Sequence, residues 1–360
     1  MKWIITIPAI LLFALAGCGK DKQSTNELIT VDVTVSYPKK ELILQDFMDV
    51  EYIPLETKDD FICQGLVLAI GKDIILARNR IRDGDIFIYD RKTGKGLKKI
   101  NREGQGGEEY TFIQRIVLDE KQNEIFVLDH FSRKISVYDL DGNFKRSLKR
   151  GDELYFFHLY NFNQTSLITN NYWVTDKPAF TQESRGLGDV YKRQAVNYSD
   201  KAKDIYYNVI PDNYNPIIPY FDCWVLVEQS SDTVYKYQSD HKMIPIIART
   251  PSVQSMNPEV FLFLGILTNR YYFMETVKKE YNFETHEGFP TTDLLYDKQE
   301  KAIFEYIVYN NDYSEKRAVN MKSLPVDDKI ASWQSIEASQ LIEDYEKGKL
   351  KRRLKEIAAS

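Results

Sequence analysis

The sequence predicts an all-β fold, a six-bladed β-propeller of four-stranded antiparallel blades followed by a C-terminal helix. Tyr and Phe, which favour strands over helices, occur 24 and 19 times in 360 residues. Short strands of alternating polarity recur at intervals of about 49 residues, a period typical of propeller blades. Residues 28–313 leave room for close to six such periods, which sets the predicted number of blades.

The repeated unit is an alternating strand followed by a turn that contains glycine. Asp85–Asp90 reads Asp-Ile-Phe-Ile-Tyr-Asp and precedes Gly94. Lys134–Asp139 reads Lys-Ile-Ser-Val-Tyr-Asp and precedes Gly142. A third unit, Asp232–Tyr237, follows about two periods later. Glycine suits such turns because it adopts backbone conformations that other residues avoid, so each unit indicates part of a meander.

Two complete blades can be assigned from this pattern. The better defined blade is expected to contain Phe112–Leu118, Glu124–Asp129, Lys134–Asp139 and Phe144–Leu148. The preceding blade is expected to contain Phe61–Leu68, Asp73–Arg78, Asp85–Asp90 and Gly96–Ile100. Since an open ring would leave unpaired strand edges, we expect Leu28–Val35 or Val50–Leu55 to pair with C-terminal strands.

The amino terminus predicts export and lipid anchoring. The apolar run Trp3–Ala16 is too short to span a bilayer and has the length of the apolar region of a signal peptide. Leu15–Cys18 matches the lipobox of bacterial lipoproteins, a resemblance that implies acylation of Cys18. The alternative is an ordinary secretory signal with a chance cysteine. The predicted organisation is a signal peptide (1–17), a flexible tether (18–27), the propeller (28–332) and a helical tail (333–360).

Further motifs resemble known propeller families. Ile125–Phe144 resembles the NHL repeat, although Lys134 shifts its usual Arg-Ile pair by one residue. The whole chain resembles the six-bladed β-propeller lipoproteins of Bacteroides and its relatives. That resemblance is carried by Val50–Glu56, Gly104–Tyr110, Asp232–Tyr235 and Leu341–Ala358. It implies an outer-membrane-anchored lipoprotein, with periplasmic or cell-surface exposure left open, and it implies no established reaction.

Composition and motifs exclude several classes of function. The net charge of -5 is too small to suggest a nucleic-acid partner. The four histidines include no pair with metal-ligand spacing, and Cys-x-x-Cys is absent, so no metal site is predicted. Phosphate-binding, dinucleotide-binding and serine-hydrolase signatures are absent as well, so the sequence predicts neither a cofactor nor catalytic residues. Cys63 and Cys223 are expected to be buried free thiols rather than a disulfide.

The blade topology predicts where a ligand would bind. In a four-stranded meander, the loop between the second and third strands emerges at the same end as the link to the next blade. The residues expected to ring the channel mouth are Arg78, Arg80, Arg82, Arg102, Glu108, Glu109, Tyr110, Asp129, His130 and Arg133. All of these except Arg78 and Arg82 are predicted to bind the ligand. A mixture of arginine, acid and aromatic groups suits polar ligands such as glycans or peptides. The alternative is a set of solvated loop residues, with Asp129 capping its own turn.

The predicted function is therefore a membrane-anchored, non-catalytic propeller that binds a glycan, a peptide or an envelope protein. The alternatives are an envelope lyase or hydrolase acting at the channel, and an architectural subunit of an envelope complex. The final helix, expected over Ser335–Ala358, is interpreted as a packing helix outside the ring, the alternative being a partner-binding helix. Ser184–Gln194 interrupts the repeat and resembles a translated assembly junction, the alternative being a genuine surface loop.

Overall fold

The computed structural model describes the chain between residues 28 and 356, with gaps. The described ranges are 28–63, 65–79, 83–149, 156–171, 178–184, 193–197, 215–282, 284–285, 287–322, 325–326, 329–351, 354 and 356. The predicted signal peptide, the tether and Cys18 lie outside them, as do Arg80, Arg82 and most of Ser184–Gln194. Within these ranges, five sheets of four or more strands follow one another along the chain, as the predicted blade architecture requires.

Two short strands and a complete blade open the described chain. The strands are β1 (Ile29–Asp32) and β2 (Lys39–Ile43). The first blade contains β3 (Leu66–Ile70), β4 (Ile74–Arg78), β5 (Asp85–Asp90) and β6 (Gly96–Asn101). The predicted inner strand Phe61–Leu68 is wrong, because Phe61 ends a 3₁₀ turn and its ring packs against Tyr89 at 5.7 Å. Gly65 then turns the chain with a φ of 69° before the strand begins.

The second blade confirms the predicted meander to within one residue at each boundary. Its strands are β7 (Ile113–Asp119), β8 (Glu124–Asp129), β9 (Lys134–Tyr138) and β10 (Phe144–Lys149). All three pairings are antiparallel, and β8 is buried along its whole length. The first turn of this blade, Glu120–Gln122, is a 3₁₀ turn that Asn123 ends in the left-handed conformation.

The third and fourth blades continue the same strand order. The third contains β11 (Phe156–Asn161), β12 (Ser166–Asn171), β13 (Pro178–Ser184) and β14 (Arg193–Asn197). The fourth contains β15 (Ile217–Tyr220), β16 (Cys223–Leu226), β17 (Thr233–Gln238) and β18 (Met243–Thr250). Phe162 of the third blade packs with Trp224 and Leu226 of the fourth, so the apolar core continues between the blades.

The fifth blade has longer strands and two short additions. Its main strands are β19 (Val260–Leu267), β20 (Tyr271–Lys278), β23 (Thr291–Asp297) and β24 (Ala302–Asn310). A hairpin of β21 (Tyr281–Asn282) and β22 (Glu287–Gly288) precedes β23. β25 (Arg317–Ala318) pairs with the end of β24. A second hairpin, β26 (Pro325–Val326) and β27 (Lys329–Ser332), lies beside the inner strands β15 and β19.

The amino-terminal segment pairs with later blades, but the predicted pairing of Leu28–Val35 with C-terminal strands is wrong, because its strand joins the fourth blade and β2 joins the fifth. β1 lies parallel to β18, with Ile29 opposite Ile247, and β2 lies parallel to β24. Both strands extend existing blades at their outer edges, so these two sheets are not purely antiparallel. The alternative closing strand, Val50–Leu55, is wrong, because no residue of that stretch is in a strand.

Residues 44–63 connect the fifth blade to the first. Leu44 packs with Phe273 and other side chains of the fifth blade. Further along the segment, Leu55 and Phe61 pack with Phe87 of the first blade. The two ends of the blade series are therefore linked by the amino-terminal segment.

The helical tail packs against the protein but is shorter than predicted. Helix α1 spans Ala338–Glu346. Gly348 follows in the left-handed conformation, with a φ of 69°, which ends a helix. The predicted continuous helix over Ser335–Ala358 is therefore wrong. Beyond this turn, Leu350 and Leu354 are buried against Tyr313. Across the described residues, none of the helices has the length and apolar character needed to cross a bilayer.

The two cysteines of the body do not form a disulfide. Cys63 is half-buried and Cys223 is buried, and both are free thiols, as expected. Burial raises the pKa of the Cys223 thiol to about 11. A thiol with this pKa is protonated at neutral pH, so Cys223 is a poor nucleophile and fills the core.

Candidate functional site

A small cleft lies at the predicted mouth, between the first and second blades. It is formed where β4, β5 and the link between the blades meet, which is the end of the meanders identified from the sequence. Its polar and aromatic lining comes from Arg78, Asp83, Asp85, Glu103, Thr111 and Phe112. The space open to the centre of a water molecule is about 20 Å³, enough for roughly one ordered water. We call this site the acidic cleft.

The carboxylates of the acidic cleft are positioned by hydrogen bonds from neighbouring amides. Asp83 accepts a bond of 2.7 Å from Asn79 Nδ2 and one of 3.1 Å from the backbone N–H of Asp85. Asp85 Oδ1 accepts from Asn101 Nδ2 at 2.8 Å. On the opposite wall, Arg78 Nη1 donates to the Ile113 carbonyl at 3.0 Å. Among the described residues, the cleft therefore combines fixed hydrogen-bond acceptors with the guanidinium of Arg78.

An aromatic cluster borders the acidic cleft. Phe112, His130 and Phe131 pack edge to face, with ring centroids 4.9 to 5.9 Å apart. Phe112 belongs to both sites, whereas Phe131 projects outward with 68% of its surface exposed. Edge-to-face packing holds the rings in place without covering their faces completely. We call these three residues the aromatic patch.

Some of the predicted ligand-binding side chains are instead used to hold the fold. Tyr110 is fully buried, and its hydroxyl donates to the Gly84 carbonyl at 2.7 Å while accepting from the Arg102 N–H at 3.0 Å. Burial accordingly raises the pKa of Tyr110 above its ordinary value. Arg102 Nε donates to the Gly142 carbonyl at 2.9 Å. Glu109 turns back to accept from the Gly106 N–H at 2.8 Å.

Asp129 is also fully buried and anchors the loop that carries the aromatic patch. Its carboxylate accepts from the Thr111 N–H at 2.6 Å, the Phe131 N–H at 3.0 Å and the Ser132 N–H at 3.2 Å. Burial alone raises the pKa of Asp129, but the bonds from Thr111 and Ser132 outweigh it and leave the pKa below its ordinary value. Asp129 thus positions Phe131 and offers no free surface to a ligand.

Replacing Asp129 by Ala is expected to lower the free energy of unfolding by about 2–4 kcal/mol, because buried N–H donors lose their acceptor. Urea denaturation at pH 7 measures this. Asp141→Ala is the control, since Asp141 forms only an exposed ion pair with Lys98 and is expected to cost at most about 1 kcal/mol. Similar losses for both variants would contradict the anchoring role of Asp129.

The remaining predicted residues lie on the rim of the mouth or outside the described ranges. Glu108 and Arg133 are exposed, and Arg133 takes the left-handed conformation with a φ of 51°. His130 belongs to the aromatic patch, and Arg80 is not among the described residues. The structure therefore brings His130 and Arg133 to the same loop and directs Tyr110 and Asp129 inward.

Sequence reasoning missed two of the three residues that form the aromatic patch. Phe112 and Phe131 flank the predicted residues but had been assigned to a strand and a loop without a binding role. A signal was present, because Phe131 is a large apolar residue within the polar loop that follows β8. The acids Asp85 and Glu103 gave no comparable signal, because acids at strand ends are common.

Comparisons with known proteins bear on the fold. The model of the DUF5128 family, described as a 6-bladed beta-propeller, matches residues 19–331. The crystal structure of a Bacteroides fragilis protein described as exported shares 15% sequence identity and has a TM-score of 0.57, covering 92% of this chain and 95% of that one. A duf4221 family member from Bacteroides vulgatus shares 10% identity at a TM-score of 0.44, covering 72% of this chain and 89% of that one. No curated protein matches in sequence.

These findings confirm the predicted architecture. The family match spans most of the chain, and the similarity to the Bacteroides fragilis structure supports the same fold at low sequence identity. Five blades are present as separate sheets in the described ranges, and the family description gives six. The chain belongs to the DUF5128 family of six-bladed β-propellers.

Proposed function

We propose that this protein is an exported, lipid-anchored propeller that binds a carbohydrate at the mouth between its first two blades, without catalysing a reaction. The observation that carries the proposal is the aromatic patch, in which Phe131 is 68% exposed directly beside the acidic cleft. The rings of Phe112 and His130 lie against Phe131, so Phe131 belongs to a cluster and is not a singly exposed apolar residue, and its loop is held by Asp129.

The chemistry of the two sites is complementary to a sugar ring. The apolar C–H face of a pyranose packs against an aromatic ring, whereas its hydroxyl groups require hydrogen-bond acceptors and donors. Phe112 and Phe131 supply the rings, and Asp83 and Glu103 supply carboxylate acceptors in the adjoining cleft. The cleft admits only about one water, so it fits a hydroxyl or hydroxymethyl group and not a whole ring. The bulk of the ligand would therefore lie on the aromatic patch.

The proposed location rests on the amino terminus and on a relative. The apolar run followed by Leu15–Cys18 has the pattern of a lipoprotein signal, and the Bacteroides fragilis protein with the same fold is described as exported. Acylation of Cys18 would tether the propeller to the membrane, with the polar residues 19–27 as the spacer. Membrane fractionation tests this part separately. We expect the wild type in the membrane fraction, with processing that globomycin blocks, and the Cys18→Ser variant to lose both the membrane association and the globomycin-sensitive processing.

The double variant Phe112→Ala/Phe131→Ala is expected to weaken carbohydrate binding about 10- to 100-fold, because both stacking rings are removed. An array of neutral and acidic oligosaccharides identifies the tightest ligand of the wild-type chain, and calorimetry then measures its affinity for each variant. Phe131→Trp is expected to retain binding, since the larger ring still stacks.

Phe221→Ala is the matched control, because Phe221 is 53% exposed but lies on the fourth blade. Its affinity for the same oligosaccharide should equal that of the wild type. Unchanged affinity of the double variant, or an equal loss in Phe221→Ala, would contradict the proposed site. Cleavage of the oligosaccharide during the measurement would contradict the proposal that the protein is non-catalytic and would favour the lyase or hydrolase alternative.

A further inference from the structure

The fourth blade contains a buried arginine outside the site described above. Arg249 lies near the end of β18, and only 5% of its surface is exposed. Its backbone N–H donates to the Asp232 carbonyl at 2.8 Å, and β1 pairs along the outer side of the same strand. Arg249 is therefore in the interior of a sheet and not at an open edge.

The guanidinium of Arg249 lacks the partners that burial of a charge requires. Its Nη2 approaches the sulfur of Met256 at 3.1 Å, and a thioether is a weak acceptor. Its Nε and Nη1 have no hydrogen-bond partner within the part of the chain that the structure describes. Burial lowers the pKa of Arg249 to about 10, although attraction to Asp232 acts in the opposite direction. The side chain thus stays charged at neutral pH and is poorly compensated.

A second buried group in the same region also lacks a partner. Gln229 is 4% exposed, and its Oε1 accepts no hydrogen bond from any described residue. Gln229 belongs to the loop between β16 and β17, and Arg249 is the next-to-last residue of β18, beside Asp232 of that loop. Both groups therefore lie at the end of the blade where the second-to-third-strand loop and the link to the fifth blade emerge. An anionic group would satisfy the two unused donors at this end of the blade, and an N–H or O–H elsewhere in the same ligand would satisfy the Gln229 oxygen.

We infer that Arg249 forms the centre of a carboxylate-binding subsite on the fourth blade, with Met256 as its cover. A guanidinium offers a carboxylate two parallel N–H donors, either Nε with Nη2 or Nη1 with Nη2. The fold leaves Nε and Nη1 unused, and rotation of Met256 would free Nη2 to complete either pair. This subsite uses none of the residues of the aromatic patch or the acidic cleft, and it stands independently of the carbohydrate proposal.

The surrounding charge favours a monoanion. Asp232 lies opposite Arg249 in the sheet, and its Oδ1 is already occupied by the Val253 N–H at 2.7 Å. Its negative charge repels a second anion, and a phosphate dianion is repelled more strongly than a singly charged carboxylate. The subsite is therefore expected to prefer carboxylates to phosphate.

The side chain whose sulfur contacts the guanidinium, Met256, is flexible. Met256 is partly exposed and lies in the link between β18 and β19, just after the 3₁₀ turn Val253–Ser255. Methionine has three rotatable bonds and no branching, so it can rotate away from Nη2 without moving the backbone. Rotation would expose the guanidinium from the same end of the blade as Gln229.

Calorimetric titration of acetate into the full mature chain tests the inference. The ionic strength is kept constant. We expect saturable binding to the wild type and affinity at least about tenfold weaker for Arg249→Met, which preserves volume but removes the donors. Arg317→Met is the control, because the Arg317 guanidinium already pairs with Asp344 at 2.6 Å, and it should bind acetate like the wild type. Met256→Ala keeps the guanidinium and should bind acetate at least as well.

Three results would overturn the inference. They are the absence of saturable acetate binding to the wild type, equal binding by wild type and Arg249→Met, and loss of binding in Met256→Ala. Chloride is titrated in parallel, and affinity for chloride equal to that for acetate would indicate an adventitious ion only. Glucuronate and N-acetylglycine, titrated in the same way, distinguish a sugar acid from a peptide terminus as the source of the carboxylate.

Discussion

Replacing Asp297 by Ala is expected to lower the free energy of unfolding by about 3–5 kcal/mol, because one buried carboxylate holds together two distant parts of the chain. Asp297 has no exposed surface, and its Oδ2 accepts from Arg270 Nη2 at 2.8 Å and from Lys40 Nζ at 2.9 Å. Lys40 belongs to β2, so this bridge attaches the amino-terminal strand to the fifth blade. The Ala variant removes the buried acceptor that both cations share and leaves them the half-exposed carboxylate of Glu300, 2.6 Å from Lys40 Nζ and 3.7 Å from Arg270 Nη2. Urea denaturation at pH 7 measures the cost.

The same carboxylate makes the stability dependent on pH. Burial raises the pKa of Asp297, but the hydrogen bonds from Arg270 and Lys40 outweigh it and hold the pKa well below its ordinary value. A carboxylate with a lowered pKa contributes its full stability above the unfolded value of about 3.9 and loses it as the pH falls toward the folded pKa. The wild type should therefore lose stability below about pH 4 more steeply than an Asp297→Asn variant.

Asp297→Asn and Glu41→Gln provide the comparison for this pH effect. The Asn side chain can still accept from the backbone N–H of Gln299, as Asp297 does at 2.9 Å, so the turn is preserved while the charge is removed. Glu41 pairs with Lys316 at the surface, where both side chains are more than half exposed, and its loss should be within about 1 kcal/mol. Parallel stability curves for wild type and Asp297→Asn between pH 7 and pH 3 would contradict the assigned role.

The strands of the second blade could be predicted from sequence because local signals agree there. In β8 and β9, strand-forming residues alternate or are continuously apolar, and Asn123 and Gly142 end the adjacent turns in left-handed conformations. The first blade shows the limit of this reasoning. Phe61 continues an apparent strand pattern, but its ring packs into the blade from a 3₁₀ turn. Periodicity alone does not distinguish a strand residue from a turn residue that is buried.

Long-range pairing was less predictable than the blades. Leu28–Val35 is predicted to pair with C-terminal strands, but its strand lies parallel to β18 of the fourth blade. That pairing joins residues about 220 positions apart, which local pattern does not encode. For the candidate site, topology correctly located the loops at one end. The direction of each side chain was not predictable, because Tyr110 and Asp129 turn inward to satisfy backbone groups that only the folded chain brings near.

Replacing Leu354 by Ala is expected to detach the tail at a cost of about 2–5 kcal/mol, because a fully buried side chain leaves a cavity. Leu354 packs in one cluster with Tyr313, which follows the fifth blade, and with Tyr52 of the amino-terminal segment. The tail thus covers the junction at which that segment leaves the fifth blade. Hydrogen exchange of residues 338–351 measures the detachment, and we expect their protection to fall while that of the second blade stays unchanged.

Ile342→Ala is the matched control for the tail, since Ile342 lies on α1 but is 51% exposed and should leave protection nearly unchanged. The distinction matters because Tyr52 also donates to Asp312 Oδ2 at 2.9 Å, which ties the amino-terminal segment to the chain beyond β24. If the tail did not stabilise the junction, Leu354→Ala and Ile342→Ala would change hydrogen-exchange protection equally. If it stabilises the junction, Leu354→Ala should also increase exchange around Tyr52, because both ends of the blade series meet at this cluster.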